Sequence, residues 1–192
     1  HLSIRRQRQM CIRDRLPSNS TTAGLAAYPD YIRQSNIYEV NVRQYTPEGT
    51  FKAFEANLPR LKEMGVDILW FMPITPISKV DRKGALGSYY AVADYTAVNP
   101  EFGTLDDWKN LVNKAHELGF KVITDWVANH TGADNRWMQS NPDFFVKKAD
   151  GTYAFAFDWS DTRDLNYQNP VLHDSMIPVS YTHLRAHETV LD

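Results

Sequence analysis

Cysteine is nearly absent from this chain: Cys11 is the single one among 192 residues, so no internal disulfide and no thiolate zinc cluster is available. Long apolar runs are missing as well. Nothing approaches the roughly 18 consecutive apolar residues that span a bilayer, which excludes a transmembrane helix. A basic excess is also lacking, with 21 Lys plus Arg against 23 Asp plus Glu, and that balance argues against a nucleic-acid partner. No H-E-x-x-H string, no G-x-S-x-G elbow and no glycine-rich phosphate loop occurs. Zinc-protease, serine-hydrolase and nucleotide chemistries therefore have no support. What is present is 43% hydrophobic and 12% aromatic residues, enough to bury a core.

The two ends read differently from the middle. Residues 1–15 hold five arginines against one acid, without apolar period, cap or turn signal. This segment, and residues 179–192 at the other end, resemble translated sequencing-adapter read-through and are set apart as non-native. The body between them has 15 basic and 20 acidic residues, no cysteine, and the histidines His116, His130 and His173.

The body alternates apolar strands with amphipathic helices. Ile37-Tyr38-Glu39-Val40-Asn41-Val42 reads as a first strand, with Pro47 and Gly49 in the turn behind it. Phe51, Phe54, Leu58 and Leu61 fall on one helical face that Pro59 is expected to kink and Gly65 to close. Residues 67–72, Asp-Ile-Leu-Trp-Phe-Met, read as a strand covered on both faces. A long glycine-bearing loop follows from Pro73 to Gly103. Thr104 and Asp107 then form a capping box that opens a helix striped with Leu105, Trp108, Leu111, Val112, Ala115 and Leu118. Lys121 to Val127 is the third strand. The order β-α-β-α-β predicts parallel strands and an α/β class. Beyond His130 the period is lost, in a segment that is aromatic, acidic and rich in turn residues.

Polar residues collect where the parallel strands end. Asp125, Asn129 and His130 follow the third strand, and Tyr89, Tyr90 and Asp94 lie in the loop after the second. In a (β/α) barrel this is the working face. Each also has a plain reading, as a cap, a turn or half-buried packing.

The string Asp125-Trp126-Val127-Ala128-Asn129-His130 resembles a signature of the α-amylase family of glycoside hydrolases. So do Gly87 to Tyr95, followed by Asn99 to Thr104; Ile37-Tyr38-Glu39-Val40 resembles that family's first strand. Arg163-Asp164-Leu165-Asn166-Tyr167 is similar to its short motif in the domain inserted after strand three. The resemblance implies a partial (β/α)8 TIM barrel, about its first three units, over residues 36–130, with the start of the inserted domain at 131–178. By the same resemblance Tyr90 would stack on the sugar ring and His130 would donate to its hydroxyls. Asp125 and Asp94 would be structural residues of the site, Asp125 pairing with an arginine from a fourth strand. Asn129 and Asp164 would offer oxygen ligands to Ca²⁺, a hard cation that suits them. Trp137, Tyr153 and Trp159 in the inserted segment are candidates for lining the cleft or for packing within it.

The family's catalytic carboxylates follow its strands four, five and seven. None is expected in this chain, which is therefore expected to be inactive by itself although its family is enzymatic. The implied substrate is an α-glucan such as starch or maltodextrin. Three readings follow: part of a retaining hydrolase, part of a transglycosylase or isomerase on the same scaffold, and a non-catalytic binding subunit.

Overall fold

The structure, a computed structural model, describes residues 29–184; segment 1–15 and residues 185–192 lie outside the described residues. Among the described residues, those up to Gln34 belong to a unit of their own and hold a 3-10 turn, Asp30–Arg33. The rest belongs to one compact unit.

Three short strands, β1 (Ile37–Val40), β2 (Ile68–Phe71) and β3 (Lys121–Thr124), pair in parallel in the order β1-β2-β3. The register sets Val40, Phe71 and Thr124 in one row and Glu39, Trp70 and Ile123 in the next. Because side chains alternate along a strand, these rows face opposite ways. Leu69 and Phe71 are fully buried while Trp70 is half-buried, so β2 is covered on one face, not on both as its apolar run suggested. The uncovered face carries Ile37, Glu39, Trp70 and Ile123; in a closed barrel this is the inward face. The chain is thus a partial α/β barrel.

Helices cover the other face. The strand expected to reach Val42 stops at Val40, and Asn41 leads into a one-turn helix, α1 (Val42–Tyr45). The single kinked helix expected from Phe51 is two helices, α2 (Phe51–Glu55) and α3 (Leu58–Glu63). Pro59 sits in the first turn of α3, where its missing N–H costs nothing, so it begins a helix instead of bending one. Helix α4 (Leu105–Glu117) opens on the full capping box: the Thr104 hydroxyl accepts from the Asp107 N–H, and the Asp107 carboxylate accepts from the Thr104 N–H. Those Thr104 bonds, with Lys52, hold the Asp107 carboxyl at a pKa of about 2. Phe51, Phe54, Phe71 and Trp108 interlock beneath, with centroid separations of 5.0–5.4 Å.

The aperiodic region beyond β3 is held by a small antiparallel pair. β4 (His130–Gly132) runs against β5 (Thr162–Asp164), with His130 opposite Asp164. Between them lie one-turn α5 (Trp137–Ser140) and a 3-10 turn at Pro142–Phe144. Helix α6 (Pro170–Leu184) follows β5 and runs on through residues 179–184, the described part of the C-terminal segment set apart above. Trp137 and Tyr153, two of the candidate cleft residues, are packing residues. Trp137 lies 5.0 Å from Tyr95 and 5.4 Å from Phe144, and Tyr153 lies 5.8 Å from Phe145.

The β2–α4 loop folds back on itself and docks closely on β4. Ser78 N–H donates to Ala91 O and Gly132 N–H to Val92 O, both at 2.8 Å. A Cβ on Gly132 would collide with the Ser78 side chain and come within 2.8 Å of the Ala91 carbonyl. Gly132→Ala is therefore expected to destabilise the fold by about 1–3 kcal/mol, the usual range for overpacking. Urea denaturation with an unchanged midpoint would contradict this close approach.

Candidate active site

The polar residues at the strand ends converge because three consecutive segments end beside one another. Asp125 stands one position past β3, its N–H donating to Phe71 O at 2.8 Å, so it follows the end of β2 closely. Both oxygens of its carboxylate are engaged. Oδ1 accepts from Trp70 Nε1 at 2.8 Å, and Oδ2 accepts from the Tyr90 hydroxyl at 2.7 Å. Burial, the bond to Asp125 and the charges of Asp125 and Glu39 push the Tyr90 phenol up to about 12. Tyr90 thus stays a neutral donor, with its ring 38% exposed at the cleft.

His130 is placed by a buried phenol. The Tyr95 hydroxyl lies 2.7 Å from Val127 O and 2.9 Å from His130 O and pins the segment that leaves β3. Burial raises the Tyr95 pKa well above that of free tyrosine. The His130 ring is buried, with Nδ1 3.2 Å from Asn129 Nδ2. With the Asn129 amide nitrogen facing Nδ1, the tautomer that carries its hydrogen on Nε2 satisfies this contact. Nε2 is itself buried and has no hydrogen-bond partner. A buried donor left unmade is costly, and a ligand oxygen would satisfy it.

Burial also lowers the His130 pKa, against the pull of Asp164, Asp161 and the Tyr90 backbone. The sign is that of a group depressed by folding. Its contribution to stability is complete above the unfolded value of about 6.5 and is lost as pH falls through the lowered folded value. Denaturation midpoints are expected to decline below about pH 6.5. In His130→Gln that part of the slope should vanish; an unchanged slope would place the effect elsewhere.

Trp159 stands edge-on to His130, with centroids 5.5 Å apart. Tyr90, His130 and Trp159 line one cleft of about 590 Å³ together with Lys83, Gly87, Ser88, Asp161 and Thr162. Asp161 is buried and paired with Lys83 at 3.3 Å. Arg163 pairs with Asp81 at 2.5 Å, and Asp134 Oδ2 accepts from the N–H groups of Lys79 and Val80. These contacts clasp the 79–83 loop to the inserted segment and shape one wall of the cleft. Asp161 and Lys83 carried no signal in the sequence: one is an acid in a turn-rich stretch, the other a loop cation.

The remaining candidates lie apart from this group. Asp94 Oδ1 accepts from Thr96, and its Oδ2 pairs with Arg136 at 3.2 Å. It therefore ties the β2–α4 loop to the start of α5 and makes no hydrogen bond to Tyr90, Asp125 or His130. The register gives Asp164 His130 as its neighbour across the strands, while Asn129 O accepts from Leu165 N–H. Among the described residues no three acids or histidines group as a metal site; the Asn129 Nδ2 lies 3.2 Å from His130 Nδ1, which leaves its Oδ1 as the oxygen a cation would take. Ca²⁺ takes six to eight oxygens, backbone carbonyls and waters among them, of which Asn129 and Asp164 would be two.

Residues 26–170 match the family model described as alpha amylase, catalytic domain. A trehalose synthase from Pimelobacter is 34% identical over 163 residues, which are 82% of this chain and 27% of that protein. Among solved structures, an alpha-amylase from Lactobacillus plantarum is 46% identical with a TM-score of 0.75, over 77% of this chain and 35% of that one. A noncanonic maltogenic alpha-amylase from Thermotoga neapolitana is 36% identical with a TM-score of 0.73, over 78% and 36% of the two chains. The chain spans about a third, or less, of the length of these relatives. With three parallel strands, a polar cluster at their C-terminal ends and a sequence match covering all of them, the chain belongs to the alpha-amylase catalytic-domain family.

Proposed function

We propose that this chain supplies the sugar-gripping half of an α-glucan-processing site, taking a terminal or internal glucosyl unit of starch or maltodextrin between Tyr90 and His130. The observation that carries this reading is that His130, whose Nε2 is buried without a hydrogen-bond partner, lines the same cleft as the half-exposed Tyr90. An aromatic face suits the apolar C–H surface of a pyranose, and a fixed neutral donor suits its hydroxyl oxygens. Asp125 sets the tilt of Tyr90 and keeps its hydroxyl turned away from the ligand.

Hydrolysis is the leading chemistry of the complete site. Glucosyl transfer or isomerisation is the second reading, favoured by the 34% identity to a protein named trehalose synthase. Calcium remains a proposal limited to Asn129 and Asp164 as two of its ligands, and no step is assigned to it.

The test is binding. Electrophoresis of the 192-residue chain through a gel containing soluble starch is expected to show retardation, relieved by free maltodextrin and weakened in Tyr90→Ala and His130→Ala. Equal mobility of the wild type with and without starch, in a preparation that melts cooperatively, would refute the reading.

A further inference from the structure

Once the chain leaves β3 its carbonyls have no strand to pair with and must find donors elsewhere. From Val127 to His130 all four have one. The Tyr95 hydroxyl sits between Val127 O and His130 O, Leu165 N–H donates to Asn129 O at 3.3 Å, and the Tyr167 hydroxyl donates to Ala128 O. Two phenols thus grip this stretch, one at its two ends and the other between them. They differ in setting. Tyr95 is buried, so its bonds belong to the core, whereas Tyr167 is 38% exposed and works at the margin of solvent. Partial burial pushes the Tyr167 phenol up, which keeps it a protonated donor at neutral pH.

Tyr167 is itself held by the start of α6. Asn166 Oδ1 accepts from Gln168 N–H at 3.2 Å and turns the chain. Asn169 then caps the helix, its Oδ1 accepting from Val171 N–H at 3.0 Å, and Pro170 fills the first helical position, where no N–H is needed. Side chains on a helix tilt toward its N-terminus, so His173, at the end of the first turn, reaches back to the residues before the cap. Its Nε2 lies 2.9 Å from Tyr167 O. A carbonyl only accepts, so Nε2 carries the hydrogen. The two rings also meet edge-on, with centroids 5.2 Å apart. Tyr167 is therefore fixed at its carbonyl and its ring by His173, and passes that constraint through its hydroxyl to Ala128, two residues before His130.

We infer that Tyr167 is a positioning residue of the sugar site: its hydroxyl, braced by His173 on α6, fixes the backbone at Ala128 and with it the place of the His130 ring in the cleft. This rests on the α-glucan reading and adds to it the group that holds the grip from outside. Tyr167 touches no ligand; it acts through His130. The role follows from the solvent margin at which it works. Water can replace a phenol at an accessible carbonyl, so the bond adds little to folding, but a water fixes no geometry. What the hydroxyl contributes is a single backbone position, on which a well-aimed donor depends.

The experiment follows maltoheptaose binding to the 192-residue chain by calorimetry, with thermal melts and two-dimensional NMR of the histidine rings at one fixed pH. The His130 signal is the one missing in His130→Gln. Tyr167→Phe removes the hydroxyl and keeps the ring against His173. Its melting temperature should stay within about 4 °C of wild type, the span of one solvent-margin hydrogen bond in a chain of this size. Its affinity for maltoheptaose should fall about three- to tenfold, and its His130 signal should broaden or split as the ring samples more than one position. His173→Ala should lose affinity in the same way, and His173→Gln, which returns an N–H near the place of Nε2, should recover most of it. Unchanged affinity and an unmoved His130 signal in Tyr167→Phe, with binding still lost in His130→Ala, would overturn the role of Tyr167 and leave the α-glucan reading standing. A larger fall in melting temperature with the His130 signal unmoved would overturn it in favour of plain packing. A folded wild type that binds no maltoheptaose would overturn the α-glucan reading, and the His130 signal would still decide whether Tyr167 holds the ring.

Discussion

Soluble starch incubated with this chain is expected to release reducing ends no faster than a protein-free control. Retaining cleavage of a glycosidic bond needs two carboxyl groups about 5–5.5 Å apart, one a nucleophile and the other a protonated acid with a raised pKa. Asp161 lines the cleft, and Asp125 holds Tyr90, which lines it too. Asp125 has both oxygens occupied, by the Trp70 indole and the Tyr90 hydroxyl, and Asp161 is committed to Lys83. The carboxyls whose acidity the fold alters move the wrong way for an acid catalyst. Asp107 is lowered by Thr104, and Asp150 by Thr152. Asp134 is lowered despite its burial by bonds from Ser78, Lys79 and Val80. On the proposed reading the described cleft grips a sugar, while the carboxylates of Asp125 and Asp161 are both engaged elsewhere. Turnover at an ordinary enzymatic rate, above about 1 s⁻¹, would show that one of these aspartates has been misread.

How far the sequence reveals this arrangement depends on the range of the forces that fix it. Helix α4 is legible because its signals are local: the Thr104–Asp107 box and the apolar stripe lie within one window. The strand order follows from alternation of short apolar runs with helices. The break between α2 and α3 is not legible from periodicity, because the stripe Phe51, Phe54, Leu58, Leu61 continues in register across it; only the N-terminal preference of Pro59 marks the join. The inserted segment is less legible again. Trp137, Tyr153 and Trp159 look alike in sequence, and what separates packing from lining is the β4–β5 pairing and the Tyr95 hydroxyl, contacts 30 or more positions apart. Asp125 was identifiable as a strand-end acid. Its tie to Trp70, 55 positions earlier, was hidden, since a tryptophan in an apolar run reads as core.

That hidden tie gives the second large effect. Asp125→Ala removes the acceptor of two donors together, Trp70 Nε1 and the Tyr90 hydroxyl. Hydrogen bonds to a charged group are worth about 1.5–3 kcal/mol, and a half-buried indole N–H left without one bears part of that loss. The more specific consequence lies at Tyr90. With the carboxylate gone, two of the four causes that raise its phenol to about 12 disappear, leaving burial and the distant charge of Glu39. A spectrophotometric titration of phenolate absorbance should show one tyrosine moving back toward the ordinary value of about 10. Subtracting the same titration of Tyr90→Phe identifies that tyrosine among the ten in the chain. Asp125→Asn separates charge from geometry: it keeps an acceptor oxygen and removes the coulombic contribution, so Tyr90 should titrate between the two extremes. Sugar binding should follow the same order, weakest in Asp125→Ala, because a Tyr90 ring freed from its anchor presents no fixed face to the pyranose. Identical titrations for wild type and Asp125→Ala would mean that the hydroxyl is held by something other than this carboxylate, and the grip assigned to Tyr90 would lose its support.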